Sequence, residues 1–407
     1  MRFGAFLRAN AQWLAAGMLL TLVSSFGQTF FISIFAGEIR AEFNLSHGAW
    51  GGLYSLGTMA SAVVMIWAGG LTDIFRVRHL GAFVFLGLAG ACVAMATVSA
   101  AWALPFVIFS LRLAGQGMLP HVSAVGMARW FVAARGRALA IASLGFAAGE
   151  ALLPLIFVAL LGFYSWRSLW IGCAVVVVLL IPLLMLLLRQ ERTPRSVAEE
   201  THASGMAGIH WTRNGALRHW LFWALAPALV APSAFVTSFF FQQVHIAEVK
   251  GWSHAAFVAL IPIYTIVSVL SALGFGWLID RIGTGRLMPI YQLPLALGFV
   301  LFGLAHSPWA AGGAMAVMAL TQGGQSTLSS AFWAEFYGTR HLGSIKAMAA
   351  AVMVLGSAIG PAITGELIDL GVNFEQQMFG IAAYITLASS IVAVAVGRVR
   401  KTLAIAP

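Results

Sequence analysis

The sequence predicts an all-α membrane protein, twelve transmembrane helices in two pseudo-symmetric six-helix bundles. Three observations carry this. The 407 residues are 60% hydrophobic and 9% charged, too little charge to cover a water-facing surface. Apolar stretches of about 20 or more residues recur along the chain, each long enough to cross a hydrocarbon core of about 30 Å as a helix. The chain also matches itself at an offset of 207 residues, placing Gly69 on Gly276, Asp73 on Asp280, Gly117 on Gly324, Gly136 on Gly343, Gly149 on Gly356 and Pro154 on Pro361. Glycine is common enough for chance matches. Aspartate is not: the chain holds only Asp73, Asp280 and Asp369, and two of these coincide, each with a glycine four residues earlier.

Helix 1 is expected over 11–36, too long for a cleavable leader and lacking a small-residue cleavage pattern. Helices 2 and 3 follow at 48–72 and 80–101, helix 4 at 103–128 and helix 5 at 137–164. Helix 6, at 167–189, has no hydrogen-bonding side chain from Cys173 to Leu188 beyond the thiol, as a lipid-facing helix requires. The longest polar stretch then divides the chain into an N-terminal bundle (1–189), a linker (190–217) and a C-terminal bundle (218–407). Helices 7 to 12 are expected at 218–247, 254–279, 286–305, 308–332, 343–369 and 376–397. Cys92 and Cys173 both lie inside apolar spans, so neither a disulfide framework nor a metal-binding spacing is present. Nothing in the sequence calls for a cofactor.

The formal charge of +10 would suit nucleic acid, but its placement suits a bilayer. With the N-terminus inside, 19 of the 23 Lys and Arg fall in cytoplasmic segments; Arg40, Arg167 and Lys250 fall outside and Arg112 within the membrane. This is the positive-inside pattern, and an even helix count puts both termini in the cytoplasm of a multi-pass inner-membrane protein. The basic segments read as topology determinants facing anionic lipid, with no nucleic-acid partner.

The loop between helices 8 and 9 reads Gly276-Trp-Leu-Ile-Asp280-Arg281-Ile-Gly283-Thr-Gly285-Arg286, and its first-half counterpart Gly69-Gly-Leu-Thr-Asp73-Ile-Phe-Arg76-Val-Arg78, with Ile74 after the aspartate and Arg76 in place of the second glycine. Helix 4 carries Arg112-Leu-Ala-Gly115-Gln116-Gly117, and helix 5 carries Gly145, Gly149 and Pro154, echoed by Gly356, Gly360, Pro361 and Gly365 on helix 11. Together these resemble the major facilitator superfamily over essentially the whole chain. The resemblance implies alternating access, with Asp73 and Asp280 in gating loops and helices 5 and 11 rocking against helices 8 and 2 on small residues and proline bends. The run Glu335-Phe-Tyr-Gly338 to Lys346 is similar to the branch of monocarboxylate and oxalate-formate carriers, although helices 7 to 12 carry no Arg or Lys inside the membrane.

The resemblance further implies a central cavity lined by helices 1, 4, 7 and 10, and each has a polar stripe at helical spacing: Thr21, Ser25 and Gln28; Arg112 and Gln116; Ser238, Gln242 and His245; Gln322, Ser326 and Ser329. Arg112 and Glu150 lie at similar depth on helices 4 and 5, where an ionisable group persists only if paired or hydrated. Two readings stay open. Glu150 exchanges a proton while Arg112 holds it or an anionic solute group, or the two form a fixed ion pair. His121 is more readily a packing histidine than a proton carrier.

A metalloenzyme, a nucleophilic hydrolase and an ATP-driven pump are excluded for want of HExxH, catalytic dyads or a phosphate-cradling glycine loop. The expected function is secondary transport of a small organic solute, a carboxylate being one candidate, by symport or antiport with the proton as candidate coupling ion. An efflux carrier is the alternative, a non-transporting sensor on the same fold a more distant one. A monomer is expected.

Overall fold

In the computed structural model the described residues are 3–131, 134–190 and 204–400, without the side chains of Phe3, Ala5, Asp73, Arg135 and Ser326. Every regular element among them is helical, and ten helices are long and apolar enough to cross a membrane. Helices 9 (Leu293–Gly303) and 10 (Pro308–Tyr337) complete the twelve. Helix 9 is short; helix 10 is long but interrupts its apolar surface with Thr321, Gln322, Gln325, Thr327, Ser329 and Ser330.

The chain folds as two compact units, Met1–Glu199 and Glu200–Pro407. In the first, helix 1 (Phe3–Ser24) packs on helix 5 (Arg135–Leu161), helix 2 (His47–Ala68) on helix 4, and helix 3 (Val77–Thr97) on helix 6 (Trp166–Leu187). The second unit uses the same three pairings: helix 7 (Trp220–Phe241) on helix 11 (Leu342–Asp369), helix 8 (Ile261–Ile282) on helix 10, and helix 9 on helix 12 (Phe374–Val399). The repeat extends to caps. Ser46 and Ser253, 207 residues apart, each accept a hydrogen bond from the backbone N–H three residues on, Ala49 and Ala256, at 3.1 and 3.2 Å.

Glycines of helices 5 and 11 make close contacts inside their own halves. A Cβ at Gly145 or Gly149 would run into Met18 O or Ser25 Oγ of helix 1, and one at Gly360 would lie 2.5 Å from Ala234 O of helix 7. Gly356 faces Val230 of the same helix. Within each half the close fits are 5 on 1 and 11 on 7, where side-chain-free backbone lets the axes approach. Pro154 and Pro361 occupy equivalent places inside helices 5 and 11.

Several spans are broken where the sequence suggests continuity. Helix 1 gives way to a 3-10 turn at Ser25–Gly27 and an extended Gln28 (φ −87°, ψ 154°) before resuming at Thr29–Ile32. Helix 7 breaks at Gln242 and resumes at Gln243–Val249. Helix 8 starts only at Ile261, with Pro262 in its first turn, after a short separate helix at His254–Val258. Helix 9 starts only at Leu293, where Thr321 Oγ1 mends the break by accepting from Leu295 N (3.1 Å) and donating to Tyr291 O (2.9 Å).

Of the predicted linker, 191–203 lie outside the described residues. Its later part is packed. Met206 and Ala216 are buried in the second half's core, and Trp211 donates its backbone N–H to Tyr337 O at 3.2 Å while its ring meets Tyr337 and His219. Apolar anchors fold residues 205–218 onto the ends of helices 10 and 11.

Candidate functional site

Within the first half, helices 1, 4 and 5 line an open cavity of about 410 Å³ walled by Thr21, Gln28, Gln116, Ser123, Ser143 and Phe146, with small and apolar residues between them. It brings together Thr21 and Gln28 of the helix 1 stripe and Gln116 of the helix 4 stripe. Thr21 has its hydroxyl turned to Met18 O and Ala142 O (3.0 and 2.5 Å), joining helices 1 and 5. Gln28 owes its position to the helix break, which turns it to cap the segment beginning at Thr29. Ser25 is fully buried against Gly149.

Helix 4 is a π-helix from Arg112 to Met118, between α-helical flanks at Leu104–Leu111 and Leu119–Trp130. Such wider turns concentrate at functional positions. This one crosses the break in helix 1 with no room to spare: a Cβ on Gly27 would strike Leu111 O, and one on Gly115 would sit 2.5 Å from Gly27 Cα. The contact brings Gly27 O within reach of Arg112.

Arg112 is 1% exposed. Its Nη1 donates to Gly27 O at 3.1 Å and to Thr29 Oγ1 at 3.2 Å, and its guanidinium carbon lies 5.4 Å from the centroid of the Tyr54 ring. The Tyr54 and Thr29 hydroxyls are 2.6 Å apart. Nε and Nη2 have no hydrogen-bond partner among the described residues. The sequence-based pairing of Arg112 with Glu150 is therefore not formed: the guanidinium reaches across to helices 1 and 2, where the Gly27–Gly115 crossing offers it a backbone carbonyl. Glu150 is itself buried, 9% exposed.

In the second half, Gln242 marks the helix 7 break and donates Nε2 to Thr364 Oγ1 at 3.4 Å. His245 Nε2 accepts from Phe374 N at 3.4 Å, an end cap for helix 12. Gln322 is exposed, and the side chain of Ser326 lies outside the described residues. Ser329 accepts from Trp333 Nε1 at 3.1 Å.

The loops expected to gate are each tied to the helix that follows the next span. In the first half, Gly69 O accepts from Thr72 Oγ1 (2.8 Å) and lies 3.2 Å from His121 Nε2, while Arg129 Nη1 of helix 4 donates to Thr72 O at 2.6 Å. Arg76 is the exposed N-cap of helix 3 and Arg78 stands in its first turn; the side chain of Asp73 lies outside the described residues. In the second half, Thr284 Oγ1 donates to Glu335 Oε2 of helix 10 at 2.5 Å. Asp280 and Arg286 are exposed, and Arg281 lies over the Trp277 ring at 4.3 Å. Gly276 has open space around it, and Gly283 ends helix 8 at φ 77°, a conformation that favours glycine. His121 thus has its ring nitrogen beside the loop's Gly69 carbonyl.

At the opposite end of each half is a clasp that helical patterning does not anticipate. Arg167, at the start of helix 6, pairs with Glu42 (2.5 Å) beyond helix 1 and donates to Ala96 O (2.7 Å) at the end of helix 3; Trp166 Nε1 adds a bond to Glu42 at 2.9 Å. In the second half Lys250, beyond helix 7, pairs with Glu375 (2.7 Å) at the start of helix 12 and donates to Gly303 O and Ala305 O, both 2.8 Å, at the end of helix 9. The signal was present in the sequence. The two pairs are offset by 208 residues with the signs exchanged, one residue out of step with the glycine and aspartate register.

A family model for the Major Facilitator Superfamily matches residues 17–275 and 228–405. The chain belongs to the Major Facilitator Superfamily. Among functionally curated proteins none matches it by sequence. The solved structures it resembles include a bacterial homologue of the human lysosomal transporter Spinster, in inward-facing unoccupied and occupied conformations. Identity is 15% and 16%, the TM-score is 0.74 for each, and the match covers 97% of this chain and 98% of that one. Another is the nucleoside transporter NupG, in the form of a point mutant, at 15% identity and TM-score 0.72, covering 95% of this chain and 99% of that one. At such identities the likeness speaks for the fold. This superfamily member is accordingly a multi-pass membrane protein with the fold of a solute transporter.

Proposed function

We propose that the chain is a secondary transporter that moves a small organic solute across the cytoplasmic membrane by alternating access, with both termini in the cytoplasm. The observation that carries the reading is the cavity of the first half, where Gln28 and Gln116 face one space beside a helix break and a π-segment. Polar groups at membrane depth are costly unless they serve a ligand, a packing contact or a proton path, and here they converge on a space of ligand size. The loop tethers at Thr72–Arg129 and Thr284–Glu335 supply contacts that would differ between inward-open and outward-open states, with Asp73 and Asp280 as latches. Glu150 is the candidate proton carrier, and the protein works as a monomer without cofactor.

The test is uptake and exchange by purified protein in proteoliposomes, with and without an imposed pH gradient, over a panel of carboxylates, sugars, amino acids, nucleosides and amphipathic cations. The expected result is saturable flux of one class, reduced at least about tenfold by Gln116→Leu, a substitution that removes a polar group from the cavity wall without charge. Flux that Gln116→Leu leaves untouched would move the site elsewhere. Glu150→Gln is expected to abolish proton-driven accumulation while sparing exchange.

A further inference from the structure

Resting on the transporter reading above, we infer that Arg112 is held so as to present one edge of its guanidinium as a carboxylate fork, and that the solute carries a carboxylate. A guanidinium has five N–H groups in fixed planar geometry. In Arg112 the two of Nη1 are spent on Gly27 O and Thr29 Oγ1. Among the described residues nothing accepts from Nε and Nη2, which are adjacent and nearly parallel, the pair that engages both oxygens of one carboxylate.

The holding is specific. Thr29 takes its place from the extended turn at Gln28, its hydroxyl is fixed by the Tyr54 hydroxyl at 2.6 Å, and the Tyr54 ring stands beside the guanidinium. Thr29 and Tyr54 are thus positioning residues that fill one side of Arg112 and leave the other idle. A trapped water molecule could accept one or two of the idle N–H groups but leaves the positive charge uncompensated; a carboxylate answers both. Two residues that line the cavity are close in the chain to the fork and its holders. Gln28 sits between the two residues that hold Nη1, and Gln116 is four residues from Arg112 in the same π-segment. The idle edge is sealed from solvent in this structure, so a solute reaches it in a state of the transport cycle that opens that edge while Gly27 and Thr29 keep their hold on Nη1.

The experiment is thermal stabilisation and proteoliposome uptake with acetate, lactate, succinate and benzoate, each alongside its uncharged amide, for wild type, Arg112→Lys, Tyr54→Phe and Glu150→Gln. At least one acid is expected to stabilise wild type while its amide does not. Arg112→Lys, which keeps the charge but not the fork, is expected to lose at least about tenfold in affinity for that acid. Tyr54→Phe, which keeps the ring and is the control should the lysine variant fold poorly, is expected to lose several-fold with its ligand-free melting temperature little changed. Equal response to acid and amide, or unchanged affinity in Arg112→Lys, overturns the fork. An acid response that appears only in Glu150→Gln assigns the fork to the protein's own carboxylate and likewise overturns the proposal. A neutral or cationic solute that alone stabilises and crosses overturns the fork but leaves the transporter reading intact. Absence of ligand stabilisation and of flux for every carboxylate, sugar, amino acid, nucleoside and cation tested fails that reading, and the fork with it.

Discussion

At the crossing of helix 1 and helix 4 the two glycines Gly27 and Gly115 meet backbone to backbone, and everything around Arg112 depends on that spacing. A methyl group at either position has nowhere to go, since its nearest neighbours are main-chain atoms rather than the ends of flexible side chains. Gly115→Ala is therefore expected to cost about 1–3 kcal/mol, the usual range for overpacking, and to separate Gly27 O from Arg112 Nη1. Thermal unfolding in detergent would register the first effect, and loss of solute affinity larger than that of Tyr54→Phe the second. A wild-type melting temperature in Gly115→Ala would mean that the crossing has slack. Gly115 was legible in the sequence only within the helix 4 arginine pattern, and Gly27 not at all; their partnership needed the break at Ser25–Gly27, which no local propensity announces.

The helices are held in threes at the end of each half opposite the termini. Helices 1, 3 and 6 meet at Arg167, and helices 7, 9 and 12 at Lys250, with the charge carried by different members of the triplet. The clasps differ in exposure. Lys250 is 5% exposed and donates to three acceptors, whereas Glu42 is 41% exposed and shares its partner with solvent. Lys250→Met is accordingly expected to destabilise by about 1–3 kcal/mol, since it strands two carbonyls and a carboxylate. Glu42→Gln should have a much smaller effect, as exposed pairs do. Its hydrogen bond with Arg167 holds the Glu42 carboxyl below the usual carboxylate range. The stabilisation from that clasp is present above the ordinary carboxylate value and lost as pH falls through the lowered, folded-state value. Melting temperatures of wild type and Glu42→Gln followed downward from neutral pH are expected to converge in that acidic window. A gap that is constant with pH would show that the pair contributes nothing.

Over the whole molecule, three equivalent pairings, 1 with 5, 2 with 4 and 3 with 6, recur as 7 with 11, 8 with 10 and 9 with 12. A parallel duplication is the simplest account of that match, of the Ser46 and Ser253 caps and of the Gly149–Gly356 and Pro154–Pro361 correspondences. The proposed orientation rests on charge. With the basic segments inside, a single cysteine introduced at Glu42 or Glu375 should react with an impermeant maleimide in intact cells. One at Arg213 or Arg286 should react only after the membrane is opened, once Cys92 and Cys173 have been replaced by serine. The reverse pattern would invert the orientation.

The number of spans, the duplication and the membrane setting were determined by the sequence alone, because they rest on composition, on run length against the bilayer thickness and on an offset that leaves its mark residue by residue. Tertiary structure decided the rest. Helix 7 alone carries Ser238, Gln242 and His245 on a stripe, yet two of them bond to helices 11 and 12 of their own half. Arg112 could have met Glu150 or a main-chain carbonyl, and it bonds the carbonyl that the Gly27–Gly115 crossing brings within reach. Hydrophobic periodicity tells which face of a helix is wet or dry; it does not tell which neighbour fills it, since that depends on distances of tenths of an ångström between segments more than eighty residues apart.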